Sequence, residues 1–453
     1  MLVEAGPARS GPRVAADDDP DRLPTTQDPR VIGTSVELGT GGARAQFLRG
    51  RGVGGSSTVN GAYFVRPPRA DAERWAALGF DHWSWDALLP SFRRLEADAD
   101  LGSTPLHGEH GPMPVRRHGE ELHPVTRAFF EACADAAHPE HTDLNDGGPE
   151  GWGLVPRNVD ARGRVDVATA YLGHVVDRDN LEIRSATAVE LVVEGDRVLG
   201  VRPRSAAGPG ELLRAPSVVS CAGALASPRL VDDGLGRRDA RRQFALHPAV
   251  ELGFEPVDGV ELDESPLLQG ALHQPLPSGG VVELLVTCRP YGRSTGAGLD
   301  DRTLCVRVSL MTPRTRAAMH RGAAGGWLEQ RWTHWHPQDR DDLRWSVRRA
   351  AGLARSTPFA GLVERWHGPS SAVLSHDAAL DRWIASRLTL SMHAAGSAPM
   401  QGRGGRGTVD QLGRVRGLEG LRIVDTSILP DLPSRGPAYM AVAIAEHLAP
   451  TFD

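Results

Sequence analysis

Between Arg49 and Gly61 the chain reads RGRGVGGSSTVNG, five glycines in thirteen residues and its densest glycine cluster. Glycine has no Cβ, so such a stretch lets backbone approach another group closely or adopt φ > 0. Val53, Val59 and the Tyr63-Phe64 pair are interleaved with or follow these glycines, which argues for a packed turn against the competing reading of a surface loop. Ser56, Ser57 and Asn60 add hydrogen-bonding groups, and backbone N–H groups at the start of a following helix suit an anion. The turn belongs to a large molecule: 453 residues exceed one simple core and fit two or three domains.

Composition removes several classes of function. All 51 basic residues are arginine, so neither a Schiff-base lysine for pyridoxal phosphate nor a P-loop lysine is available. A GC-rich coding sequence accounts for that bias. Net charge is −6, without the basic patch that nucleic-acid binding requires. Cys133, Cys221, Cys288 and Cys305 are widely spaced and form no CxxC pair, so a zinc or redox motif has no support and no metal is expected. The Met1-Leu2-Val3-Glu4 start lacks a signal-peptide pattern. No apolar run of about 18 residues indicates a spanning helix. A cytoplasmic setting follows as the default, with peripheral contact at the inner membrane face left open.

Periodicity gives the elements. Residues 84–96 read as an amphipathic helix capped by Ser84, with Leu88, Phe92 and Leu95 on one face and Pro90 weakening it. Residues 100–124 are a loop, and 125–137 are helical. The alternation from 181 to 204 around Glu194-Gly195-Asp196 predicts a strand and a hairpin. Ala215–Cys221 reads as a buried strand, and 281–288 and 303–311 as further strands. Residues 7–30 read as a surface excursion and 339–354 as a helix. Leu421–Asp425 is strand-like, and Pro437 opens a C-terminal helix to Leu448. His334 and His336 would share one strand face, with no third metal ligand nearby. The Trp-rich stretch 327–345 reads as core or pocket wall.

These motifs together resemble the glucose–methanol–choline (GMC) oxidoreductase family. Gly50–Glu73 is similar to its first signature, Asp81–Glu96 to its W-S-W-D helix, and Leu144–Gly153 and Ala168–Leu172 to its central region. Ser220–Gly236 resembles the second signature with one residue missing around Asp233-Gly234. The C-terminal run from Val409 resembles the flavin-contacting segment. The resemblance implies an α/β fold: a Rossmann-type FAD-binding domain from residues 1–61, 155–235 and 386–453, and a substrate-binding domain with an antiparallel sheet from 62–154 and 236–385. It implies FAD as cofactor and hydride transfer from a CH–OH group.

Carried over residue by residue, Glu4 would bind the adenosine ribose. Gly52, Gly54, Gly55, Ser56, Asn60 and Gly61 would line the cofactor, Val189 would meet its adenine end, and Ala222 and Gly223 would pack on it. Asp425 would lie near the pyrophosphate and ribityl chain. Pro437 would open a helix whose positive end faces the flavin. The catalytic candidate is His393 in SMHAAGSAPM, since alcohol oxidation needs a base as hydride leaves. The family's second His or Asn falls on Gly436 here, leaving one histidine, the substrate or Arg435 to supply what is missing. His247-Pro248 falls near the cofactor by family position. HAAGSAPM with SRGP resembles the branch associated with mycofactocin, in which reduced mycofactocin is reoxidised and electrons pass towards the respiratory chain. Alternatives are oxidation of a small alcohol, a non-redox flavin lyase, and a chain that does not hold FAD. That last alternative arises because Leu2–Glu4 resembles the second strand of a dinucleotide-binding unit. The first strand and GxGxxG turn are expected upstream, about 30 residues away, and the chain as given is expected to hold FAD poorly.

Overall fold

The computed structural model describes residues 1–6, 21, 23–25, 27–38, 43–186, 188–205, 208–237, 239–262, 265–290, 302–321, 327–332, 335–402, 405 and 407–452. Most of the surface excursion expected at 7–30, and His334, lie outside these residues. Among the described residues the dominant element is an eleven-stranded sheet, largely antiparallel. Its spine is the sixteen-residue strand Arg241–Pro256. That strand pairs with Leu304–Leu310, Ala317–Arg321, Val363–Trp366 and Thr389–Ala395. It is long enough for different stretches to meet different partners, at about 3.4 Å per residue.

The sheet runs through both sets of expected segments. Val31–Leu38 and Ala43–Gly50 form a hairpin that joins it through Trp327–Trp332. Leu268–Pro275, Val281–Thr287 and Leu304–Leu310 supply the antiparallel half. Near-continuous burial of these last strands means both faces are covered. Val125 and Phe129 of helix Pro124–Asp135, and Leu343 and Val347 of helix Pro337–Ala354, pack in one core with them.

Parallel pairing joins Val31–Leu38 to Trp327–Trp332 and Glu96–Asp98 to Met113–Val115, and it forms two short separate ladders. Leu2–Glu4 pairs with Ile183–Ser185, and Val218–Ser220 with Leu421–Ile423. The expected buried strand from Ala215 to Cys221 is shorter and more open: Val219 is 41% exposed and Cys221 is exposed. A strand with one described neighbour has less cover than a central strand, whose apolar run it otherwise imitates. His336 is also corrected. It caps helix Pro337–Ala354, its Nδ1 accepting from Gln338 N at 3.2 Å, and does not sit on a strand.

Two helices hold the remaining core together. Trp85–Leu95 starts on the Ser84 cap and buries Trp85, Leu88, Phe92 and Leu95. Each side chain of this kind contributes about 1.5–3 kcal/mol when fully buried. Pro90 sits on the exposed face, where the carbonyl deprived of its donor reaches solvent. The C-terminal helix Ala438–Leu448 packs against it, with Tyr439 between Phe64 and Phe92. No helix among the described residues is long and apolar enough to cross a membrane.

Beneath these helices lies a cluster of buried charge. Arg66 donates to Glu96 Oε1 at 2.8 Å and Tyr439 to Glu96 Oε2 at 2.8 Å. His107 bridges Glu96 and Asp143 at 2.9 and 2.8 Å, and Arg117 bridges Asp98 and Asp143. Glu96, Asp98 and His107 are close enough to one another to suggest a cation site. Two guanidinium groups already occupy their oxygens, and although burial works against it, the hydrogen bonds His107 donates to Asp143, Asp98 and Glu96 raise its pKa to about 10. Three carboxylates therefore face three cations, and the cluster is a structural ion network.

Candidate active site

Thr389–Ala395 runs beside Arg241–Pro256 with an interruption: Leu246 pairs with Ala394 and Pro248 with Leu390. Three residues, Ser391, Met392 and His393, thus stand against the single His247. Pro248 has no N–H for the ladder, and a bulge accommodates the mismatch. Met392 takes φ 59°, the left-handed region that bulky residues rarely enter. Its sulfur accepts from Leu48 N at 3.2 Å.

The bulge brings His393 to His247, their Nδ1 atoms 2.9 Å apart and their rings at 87°. His247 is fully buried, whereas His393 is only partly buried as a residue. Desolvation lowers the His393 pKa to about 4; Glu283 opposes the shift and Arg307 adds to it. His247 lies well below its ordinary value, again chiefly through desolvation, with His393 next. Both rings are neutral near pH 7.

The start of the C-terminal helix closes over this pair. A Cβ on Gly436 would lie 3.0 Å from the Tyr63 ring and 3.4 Å from His393 Cε1. The Tyr63 hydroxyl donates to Glu283 Oε2 at 2.5 Å, and His273 Nε2 is 3.0 Å from the same oxygen. Arg435 donates to Glu150 at 2.7 Å and to the Ser434 carbonyl. A polar cluster of Tyr63, His273, Glu283, Glu150 and Arg435 therefore adjoins His393. Sequence reasoning missed His273, Glu283 and Glu150, because no motif or spacing links two strands and a loop. A cleft of about 530 Å³ opens along Ala395 and Gly396, between Arg242, Arg316 and Asp431. His393 is not in its lining.

The residues expected to hold the cofactor gather in two places. Glu4 Oε1 accepts from Gly6 N at 2.9 Å and from Gly52 N at 3.0 Å. The strand that ends in Glu4 is thereby tied to the glycine turn, and neither hydrogen bond uses Oε2. Gly54 takes φ 99°, and a Cβ there would meet Thr58 at 2.8 Å. Ser56 is exposed, its hydroxyl accepting from Gly50 N at 3.0 Å. Asn60 accepts from Ala62 N at 3.1 Å, and Gly61 packs near Leu267 and Leu268.

The second place is the turn after Val218–Ser220. Asp425 accepts from Gly223 N at 2.9 Å, Ser227 Oγ at 2.5 Å and Ser427 N at 2.8 Å. It staples the Ala222-Gly223 turn to the C-terminal segment, and Ala222 N donates to Ser227 at 3.1 Å. Gly223 has φ 84° and nothing within 4 Å of a built Cβ. The Gly223 backbone is thus open, and Glu4 Oε2 takes no hydrogen bond among the described residues, so each can meet a ligand with polar groups. Val189 stands on the hairpin strand Ala188–Glu194, opposite Pro203. Pro437 caps the C-terminal helix.

Two GMC oxidoreductase family profiles match the chain, over residues 29–249 and 331–445. A GMC-type oxidoreductase from the thcA 5′ region of Rhodococcus erythropolis is 34% identical, over 98% of this chain and 91% of the relative. Pyridoxine 4-oxidase of Microbacterium luteolum is 30% identical, over 100% of this chain and 94% of that protein. The crystal structure of pyridoxine 4-oxidase from Mesorbium loti has the same fold, with TM-score 0.88, 24% identity, and coverage of 100% of this chain and 93% of that one. The chain belongs to the GMC oxidoreductase family. It is an FAD-dependent oxidoreductase that acts on alcohols.

Proposed function

We propose that this enzyme is a dehydrogenase in which His393 removes the hydroxyl proton of the substrate, and that the substrate is reduced mycofactocin. The observation that carries the base assignment is a neutral, desolvated His393 held beside Gly436 and the start of the C-terminal helix. The resemblance of HAAGSAPM and SRGP to the mycofactocin-associated branch supports the substrate, with electrons passing on towards the respiratory chain. Bound FAD supplies the acceptor for the hydride. Glu4 binds the ribose hydroxyls. Gly52, Gly54, Gly55, Ser56, Asn60, Gly61, Val189, Ala222 and Gly223 line the cofactor, and Asp425 holds two lining segments in register. Pro437 starts a helix whose positive end favours negative charge on the flavin. Residues 1–61, 155–235 and 386–453 form the FAD-binding part; 62–154 and 236–385 form the substrate side.

The names of the pyridoxine oxidase relatives support a second reading, an oxidase of a small alcohol. Turnover with reduced mycofactocin and with simple primary alcohols separates the two. The expected result is flavin reduction by the former with an artificial electron acceptor and little hydrogen peroxide. Stoichiometric peroxide from a simple alcohol at a good rate overturns it.

Gly436 is read as the place where the missing second base leaves room. The Tyr63 ring beside it is pinned through Glu283, so a new methyl, 3.0 Å from that ring and against His393, must push Tyr63 or the helix start by a few tenths of an ångström. Gly436→Ala is expected to slow flavin reduction roughly 10-fold, since a 1 Å misplacement costs about 10²-fold. An unchanged rate removes the steric argument.

A further inference from the structure

We infer that His247 is a positioning residue that holds His393 in its basic tautomer by accepting a hydrogen bond from His393 Nδ1–H. The inference rests on the reading of His393 as the base and adds the group that makes it one. A neutral imidazole carries one N–H and one lone pair. The two Nδ1 atoms are 2.9 Å apart, so one ring donates and the other accepts.

The two arrangements differ in consequence. If His247 Nδ1–H donates, His393 carries its proton on Nε2 and spends its only lone pair on His247. No basic nitrogen then remains to take a substrate proton. If His393 Nδ1–H donates, its Nε2 lone pair is free and His247 must carry its own proton on Nε2.

The surroundings of His247 favour the second arrangement. The backbone groups of Met311 and Pro433 lie near this ring and favour a proton on it. His247 Nε2 is buried and lacks a well-formed bond to any described group. With Nδ1 taken by His393, a proton on Nε2 beside backbone acceptors costs less than a bare lone pair there. His393 is the charged or titratable group acting most strongly on His247, and Arg316 also acts on it. Glu283 and Arg307 act on His393.

The same bond serves during reaction. The proton leaving the substrate oxygen arrives on His393 Nε2, and His393 becomes an imidazolium whose Nδ1–H still points at the His247 lone pair. His247 holds the ring and accepts from its cationic form without gaining a proton itself. The bulge fixes this geometry from the backbone.

The test joins a tautomer measurement to kinetics. In 15N-histidine-labelled wild-type protein, His393 is expected to show Nδ1–H and a bare Nε2 at pH 7; Nε2–H on His393 overturns the inference without any variant. His247→Phe keeps the bulk and removes the acceptor. It is expected to shift His393 towards Nε2–H and slow anaerobic flavin reduction about 10²-fold or more, with little change in substrate affinity. His247→Asn, whose side-chain oxygen can accept, is expected to recover the wild-type tautomer and most of the rate. A His247→Phe protein with wild-type tautomer and rate overturns the inference, as does His247→Asn with the wild-type tautomer and a Phe-like rate. Loss of the base role of His393 itself would appear separately, as unchanged reduction in His393→Ala.

Discussion

His393→Ala is expected to slow anaerobic flavin reduction by an alcohol about 10²-fold or more while the flavin stays bound. A positioned base contributes about 10²–10⁴-fold. The truncation leaves Glu4, Gly52, Gly223 and Asp425 untouched, and these are the groups assigned to the cofactor. Stopped-flow absorbance reads reduction directly and separates it from later electron transfer. The pH dependence should carry the same signature. His393 titrates near 4 instead of near its ordinary value of 6.5, so it stays deprotonated as pH falls through 6. The acid limb of the reduction rate in wild type is expected near pH 4. A limb centred near 6.5, or an unchanged rate in the alanine variant, sinks the assignment.

His107→Ala is expected to destabilise the fold by about 3–5 kcal/mol, the usual result of breaking a buried ion pair. The loss leaves Glu96, Asp98 and Asp143 facing Arg66 and Arg117 alone, one cation short, in a site with little water. Linkage gives an independent check. The folded-state pKa of His107 is raised to about 10, so its stabilisation is fully present below about pH 6.5 and disappears as pH rises through 10. Wild-type melting temperature should therefore decline between about pH 7 and 10 through this group. His107→Gln should melt lower at pH 7 and vary less over that window. Equal melting temperatures in wild type and His107→Ala at pH 7 would rule out the network as a stability element.

What could be read from the sequence follows the range of the forces involved. The helix at Trp85–Leu95, the hairpin around Gly195 and the C-terminal helix rest on local periodicity and capping, which neighbouring residues encode. The glycine turn and the segment that carries His393, the proposed base, could be singled out because their motifs are contiguous. The His247–His393 contact spans 146 positions and depends on a register slip that no periodicity announces. His107 lay in a segment read only as a loop, because its partners come from an adjacent strand and from Asp143 thirty-six positions on. Ala215–Cys221 misled for a related reason: an apolar run records what a strand prefers, and burial depends on which neighbours cover it.

The bulge opposite His247 has a bearing on how this enzyme can be altered. Three residues facing one is a matter of residue count, so most side-chain substitutions at Ser391 or Met392 leave the offset in place. Removing a single residue there would turn His393 to the other face of the strand, because side chains alternate along it. The placement of His393, the proposed base, is thus less sensitive to substitution than to insertion and deletion. A library that varies length between Leu390 and Ala394 would find sharper limits than one that varies identity alone.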